Sequence, residues 1–427
     1  MKTLIVSGVP LRDDTNSGKT LQALFASFEA SEIAQLYFSP DIPNSRICGS
    51  YYQLCEKQMI TSFFGIIKNR CGGRVEPQSF ETANAAFNRN PLSITRNKRS
   101  LPVRLLREML WRISFWKNQS LKLWLEEENP DVIFAVMQDT NASVRTFNWL
   151  AKQTKCSIIL YVTDDYYYDP ENSHNLFRRL YYKKRQKLYK KLSGTIVKII
   201  GCSEKITSAF TGVMGIKNKG NTIFTPSAPA LLDIPYKQQT EKEIIIMRYF
   251  GNLGLGRWQM LRALGTVISE INQNNIRAIL EVYSSDIDES THKELTVENG
   301  CVFKGWVHGQ EYLELLKSAD IAVHIESFEK NNIRRTWGSV STKIADYLGA
   351  GKCILAIGPK SVASIEHIKD SAFLIDDLLL LKSGVEELIN DADLRTKLQV
   401  LARESALKQH NIKKISPDLK KIINSNY

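Results

Sequence analysis

Three short stretches of the chain carry residue types suited to gripping an anion or moving a proton. Gly251-Asn252-Leu253-Gly254-Leu255-Gly256-Arg257 sets glycines that let a ligand approach the backbone just ahead of a guanidinium. Gly338-Ser339-Val340-Ser341-Thr342-Lys343-Ile344-Ala345-Asp346 places small hydroxylated residues where a helix begins, so unpaired N–H groups and hydroxyls face outward there. Lys343 and Asp346 are three apart, on one helical face near that end. Thr163-Asp164-Asp165-Tyr166 follows an apolar run, and its carboxylates suit a base or an acceptor contact. Each stretch also has a plainer meaning: a tight turn, a capped helix with a surface ion pair, a polar loop with aromatics. Spacing alone favours the capped helix for the second. Asn16-Ser17-Gly18-Lys19-Thr20 ends like a phosphate-binding P-loop, but Asp13 stands where that motif needs its first glycine. It reads better as a first strand-to-helix loop whose backbone faces an anion, or as an ordinary loop.

The net charge of +12, from 57 basic and 45 acidic residues, favours a polyanionic partner. Much of the excess lies in a predicted helix His174–Leu192, where Arg178, Arg179, Lys183, Lys184 and Lys187 alternate with Leu and aromatic residues. Such a helix suits an anionic membrane surface or, more plainly, a solvated face. No nucleic-acid motif accompanies it, so no nucleic-acid partner is expected. The seven cysteines form no C-x-x-C pair and read as free, mostly buried thiols. No leader-like segment and no apolar run of spanning length is present, so the protein is expected in the cytoplasm, with any membrane contact peripheral on the inner face.

These stretches must be held by a scaffold, and the chain alternates strand, turn and helix twice over. Strand-like runs such as Thr3–Val9, Asp131–Met137 and Ser157–Val162 alternate with helical ones, including a long amphipathic helix over Arg104–Glu127. The pattern stops at a proline-rich stretch and restarts at Glu243. This alternation predicts α/β units with parallel sheets, whose ligands bind beyond the carboxyl ends of the strands. The expected division is residues 1–228, a linker over 229–242, residues 243–410, and a last helix over 411–427 with a break near Ser416-Pro417.

The run from Glu243 to Asp376 resembles the C-terminal domain of GT-B glycosyltransferases, above all their family 4 / family 1 group. Lys304-Gly305-Trp306-Val307 followed by Tyr312 and Ala319-Asp320 is similar to that group's F-x-G-x-V…Y…A-D segment. Ser341-x-Lys343-x-x-Asp346-Tyr347-Leu348-x-Ala350-Gly351-Lys352 is similar to its S-x-K-x-x-E-Y-x-A-x-G-K signature. Ser17-Gly18, Cys202-Ser203-Glu204 and the T-P-S-A-P at Thr225 stand where the group has its loop glycine and two further segments.

The resemblance implies a GT-B fold: two Rossmann-like domains with parallel sheets facing across a cleft, acceptor side first, donor site second, and the last helix packed back on the first domain. It implies a nucleoside-diphosphate-sugar donor as substrate, no cofactor and no required metal. Arg257 would meet the diphosphate, with Asn252 where many members place an arginine. Ser341 and Thr342 would bind phosphate, Asp346 the ribose, and Trp306 and Val307 would lie near the base. Gly18 would leave room for the donor phosphates. Arg257 and Lys343 would stabilise the departing diphosphate, and Asp164 or Asp165 would serve the acceptor hydroxyl. Retention of anomeric configuration, a lipid-linked or surface-polysaccharide glycan acceptor and contact of the 174–192 helix with an anionic membrane complete the expectation. Two other readings stay open: a non-catalytic nucleotide-sugar or membrane-binding protein, and a GT-B nucleotide-sugar epimerase. The acid expected eight positions before Asp346 is absent; Gly338 stands there.

Overall fold

Strands read from unbroken apolar runs belong to parallel sheets covered on both faces. The chain bears this out. A computed structural model describes residues 1–14, 16–63, 71–78, 101–113, 115–168, 175–216, 218–233, 243–285 and 289–425. Two compact units result: Met1–Ile223 with Ser416–Tyr427, and Phe224–Ile415.

The first unit holds β1 (Thr3–Ser7), β2 (Ile33–Tyr37), β3 (Ser50–Gln53), β4 (Gly73–Arg74), β5 (Val132–Val136), β6 (Ser157–Val162), β7 (Ile196–Gly201) and β8 (Gly220–Thr222). Their order is β4-β3-β2-β1-β5-β6-β7-β8, parallel except where β4 pairs antiparallel with β3. Every residue of β1, β2 and the first four of β5 is buried. The second unit holds β9 (Ile245–Phe250), β10 (Ala278–Tyr283), β11 (Cys301–Gly305), β12 (Ile321–Ile325), β13 (Cys353–Ile357) and β14 (Phe373–Ile375), in the order β11-β10-β9-β12-β13-β14. Its core packs strand residues such as Met247, Leu280, Val323 and Leu355 against Leu261, Leu264 and Ile268 of the helix Arg257–Ile271.

Local signals set many boundaries. Ser203 caps the helix Glu204–Met214 by accepting from Ile206 N at 3.2 Å, and Gly215 ends it in the left-handed region. All seven cysteines are free and buried.

Other boundaries differ from the sequence reading. The helix expected over Arg104–Glu127 is two helices, Leu101–Ile113 and Gln119–Glu128. Asn118 divides them: its Oδ1 accepts from Leu121 N at 2.9 Å, starting a new helix where continuous periodicity suggested one. At the other end, Pro417 lies inside the helix Ile412–Asn424, and the break falls earlier, at His410–Asn411. The passage between units comes at Ile223–Phe224, ahead of the linker expected at 229–242. Pro229–Leu232 form a short helix in the second unit, and 234–242 lie outside the described residues, as does His174.

Ser416–Ser425 pack on the first unit. Ser416 Oγ accepts from Ser27 N at 2.8 Å, Lys420 pairs with Glu32 at 2.6 Å, and Lys198 Nζ donates to the Ile422 carbonyl at 3.0 Å.

Candidate functional site

In the second unit the expected donor-side residues gather where β9, β11 and β12 end. β9 and β12 run in register, with Tyr249 opposite Val323, so the turn after Phe250 lies beside the residues after Ile325. That turn is tightly made. Tyr249 Oη donates to the Asn252 carbonyl at 2.8 Å, and Asn252 Oδ1 accepts from Gly254 N at 2.6 Å. Gly256 takes φ 77°, and a Cβ there would stand 2.7 Å from Ser327 Oγ and Asn332 Nδ2. Only glycine fits, and it delivers Arg257 against β12.

Arg257 Nε donates to the Ile325 carbonyl at 3.2 Å, and Nη2 pairs with Glu326 Oε2 at 2.9 Å. Sequence alone presents Arg257 as a charge available to a ligand; in the fold it is committed to Glu326, which is itself 2% exposed. Burial raises the Glu326 pKa and the guanidinium opposes that shift. His324 lies 3.6 Å from the same carboxylate. Burial, then Arg257, lowers its pKa to about 3, so this imidazole is neutral.

Ser364 joins this pair to the hydroxyl-rich helix start. Its oxygen accepts from Ser341 N at 3.1 Å, donates to the Ser339 carbonyl at 3.1 Å, and lies against Glu326. Ser341 precedes the helix Thr342–Gly349 without a side-chain cap bond of its own. One turn on, Asp346 Oδ2 accepts from Tyr312 Oη at 3.0 Å, and Oδ1 from Ala228 N at 3.3 Å. Each oxygen keeps a lone pair for a ligand hydroxyl. The Lys343 ammonium stands 3.8 Å from the centre of the Tyr312 ring, so Tyr312 links the two charged residues that spacing alone suggested as an ion pair. The T-P-S-A-P segment reaches the same helix: Gly349 packs so closely on Ser227 that a Cβ would overlap its hydroxyl.

Trp306 follows β11 past Gly305, whose φ is 84°. It is 62% exposed and stacks on His308 at 4.4 Å, a flat apolar surface open to a ligand. Val307 packs inward against the core that holds Tyr312 and Tyr347.

The remaining expected residues lie in the first unit. Gly18 is buried within the helix Asn16–Leu24; the helix starts earlier than expected, so this glycine is not in a loop. Asp164 and Asp165 follow β6. Asp164 Oδ2 accepts from Tyr166 Oη at 3.1 Å, while Asp165 Oδ1 accepts from Tyr167 N and Tyr168 N at 3.0 and 3.2 Å. Arg179, Lys183, Lys184 and Lys187 are exposed on the helix Leu176–Leu192, and Arg178 is half-buried with its guanidinium over the Tyr182 ring. Arg185 of that helix is fully buried, contrary to its place in a basic run. It donates to Asp139 Oδ1 at 2.8 Å, the Tyr166 carbonyl at 2.6 Å and Asn141 Oδ1 at 3.1 Å. Asp139 also binds Arg104 at 2.6 Å. This network holds the Asp164 loop by its backbone. Sequence reasoning missed it, as it missed the pairing of Glu326; the residues of each come from separate elements, and no spacing marks them.

Two parallel-sheet units, one of eight strands and one of six, are the architecture of the GT-B fold. Residues 267–420 match a family described as glycosyl transferase-like. The fold is thus of the GT-B type. Among similar solved structures is Anabaena Alr3699/HepE in complex with UDP, with 13% identity, a TM-score of 0.58 and 100% of each chain covered. Sucrose-phosphate synthase from Thermosynechococcus elongatus shares 13% identity and a TM-score of 0.60 over 100% of this chain and 99% of that one. WaaG, a glycosyltransferase involved in lipopolysaccharide biosynthesis, shares 12% identity and a TM-score of 0.57 over 98% and 99%. No curated protein sequence matches the chain.

Proposed function

We propose that the protein transfers a sugar from a nucleoside-diphosphate donor to a hydroxyl of a lipid-linked or surface-polysaccharide glycan, with retention. The observation that carries the donor reading is the line of contacts from the Asn252–Gly256 turn through Arg257, Glu326 and Ser364 to Ser341. It brings a glycine turn, a guanidinium and a helix start to one end of one sheet, the arrangement a diphosphate needs. Ser341 offers its hydroxyl, and Thr342 its N–H group and hydroxyl, to phosphate. Asp346 takes the ribose hydroxyls, and the base lies on Trp306 beside Val307. Arg257 and Lys343 stabilise charge on the leaving diphosphate. Solved relatives support the donor class: the Anabaena protein has been captured with UDP and with UDP-glucose.

In the first unit, Asp164 or Asp165 serves the acceptor hydroxyl. No metal or cofactor takes part in this scheme. The test is a calorimetric titration with UDP, GDP and TDP, followed by product analysis with the matching sugar donors. Binding of one diphosphate and a glycoside product of retained configuration are expected. Absence of binding to every nucleotide overturns the donor reading, and isomerised free donor without transfer points to an epimerase.

A further inference from the structure

The short helix Lys330–Thr336 follows β12 and precedes the hydroxyl-rich helix start, and it carries Lys330, Arg334 and Arg335 with no acid among them. It is anchored at the glycine turn. Asn332 Nδ2 donates to Ser327 Oγ at 3.2 Å and to Glu329 Oε2 at 2.8 Å, and Gly256 lacks the Cβ that would meet the same nitrogen. Ile333 packs against the core that holds Tyr312 and Tyr347, and Thr336 is buried. These contacts orient the helix. Arg335 stands three residues from Asn332, on the flank that borders the turn. Lys330 and Arg334, four apart, share the exposed side.

Arg335 is half-buried, yet among the described residues it makes no hydrogen bond and no ion pair. The carboxylates at this end of the sheet are engaged elsewhere. Glu326 holds Arg257, Glu329 accepts from Asn332, and Asp346 accepts from Tyr312 and Ala228. A guanidinium partly withdrawn from water without an anion costs free energy that an arriving anion removes. The other charges of the candidate donor site leave a place for it. Arg257 and Lys343 are matched by Glu326 and Asp346, so these charges cancel, while a diphosphate brings negative charge on each phosphate.

Sheet order gives the direction. In the proposed donor reading the base lies on Trp306, after β11, and the ribose at Asp346. The order β11-β10-β9-β12 then carries the diphosphate past the end of β9 toward the residues after β12. Its outer phosphate, the one bonded to the sugar, comes to the helix Lys330–Thr336. We propose that Arg335 is the cation that binds this outer phosphate and stabilises it as it leaves. Over the reaction the bond between the anomeric carbon and the phosphate oxygen breaks, and its electron pair stays on that oxygen. The acceptor oxygen bonds to the carbon, and its proton passes to the carboxylate proposed for the acceptor. Negative charge therefore grows beside Arg335, where a bidentate, charge-assisted contact strengthens. Arg257, its charge cancelled by Glu326, orients the diphosphate through its N–H groups. This role of Arg335 rests on the proposed donor reading.

The test is calorimetry with UDP, GDP and TDP and, for the one that binds, its monophosphate, on the full chain and on R335Q, R335K and R334Q. R335Q is expected to lose about tenfold or more in affinity for the diphosphate, with the monophosphate unaffected. R335K should recover part of that loss, and R334Q should match the parent. With the matching sugar donor, kcat should fall by about a hundredfold in R335Q. Arg335 has no partner to lose, so R335Q should melt with the parent. An R335Q variant that keeps the parent's preference for diphosphate over monophosphate overturns this role and leaves the donor reading standing. So does an equal loss in R334Q, which makes the effect one of overall charge. A clearly lower melting temperature in R335Q also overturns it, because Arg335 is then a structural residue. A parent that binds no nucleotide overturns the donor reading and this role with it.

Discussion

The guanidinium of Arg257 and the carboxylate of Glu326 form a buried ion pair at the carboxyl end of the second sheet, Nη2 to Oε2 at 2.9 Å. Removing one member leaves the other charge buried. Arg257→Ala should therefore cost about 3–5 kcal/mol of stability and weaken diphosphate binding by about 1–3 kcal/mol. The double variant R257M/E326L separates the effects: its stability should return to near the parent while diphosphate binding stays weak. Denaturant unfolding and UDP calorimetry on the same proteins check this. Full UDP affinity in the double variant removes Arg257 from the donor site.

Asp346 accepts from Tyr312 and Ala228 and keeps capacity for a ligand hydroxyl. Asp346→Asn should weaken nucleotide binding by about 1–2 kcal/mol, and the loss should shrink for a nucleotide lacking a ribose hydroxyl. Calorimetry with UDP and 2′-deoxy-UDP reads it. A variant that still prefers UDP by the parent's margin places the ribose elsewhere.

The two carboxylates proposed for the acceptor side are not equivalent. Asp165 Oδ1 is engaged by two backbone N–H groups, whereas Asp164 meets hydroxyls, those of Tyr166 and Thr163. Asp164→Asn should lower kcat by on the order of a hundredfold or more with UDP affinity unchanged. Asp165→Asn keeps an acceptor oxygen for the turn and should lower kcat less. Steady-state kinetics on both variants decides between them.

Trp306 is mostly exposed and stacks on His308. Trp306→Ala should change stability by less than about 0.5 kcal/mol and weaken nucleotide binding by about 1 kcal/mol. Indole fluorescence during UDP titration gives an independent reading: quenching in the parent that vanishes in the variant.

Three buried imidazoles make stability depend on pH. Burial is the main cause for each, lowering His324 and His367 from 6.5 to about 3 and His410 to about 4. The unfolded chain binds these protons first. Their stabilising contribution is thus whole above pH 6.5 and falls as the pH drops toward the folded values. Denaturant midpoints should be lower at about pH 5 than at about pH 7. In H367N/H410N, which removes the pair whose Nε2 atoms stand 2.8 Å apart, the slope over that window should be shallower. A midpoint that does not move through the window contradicts the assignment.

Strands were legible because buried parallel strands need unbroken apolar runs, and β1, β5 and β6 show them. The turn at Gly251–Gly256 and the signature from Ser341 were legible because their chemistry is local: glycine conformations and helix starts lie within a few residues of sequence. The division of 104–127 was masked by apolar periodicity that runs through Asn118, and only the cap bond to Leu121 N reveals it. The partners of Arg257, Arg185 and Asp346 could not be read at all. Glu326, Asp139 and Tyr312 are brought to them by crossovers between elements, and a guanidinium's fate depends on which carboxylate the sheet order sets beside it. The exposure of Leu105, Leu106 and Met109 on the helix Leu101–Ile113 has the same origin. Periodicity shows that a helix has two faces, but only packing against Asp139, Glu56 and Arg145 decides that Arg104, Arg107 and Glu108 turn inward beside Trp111.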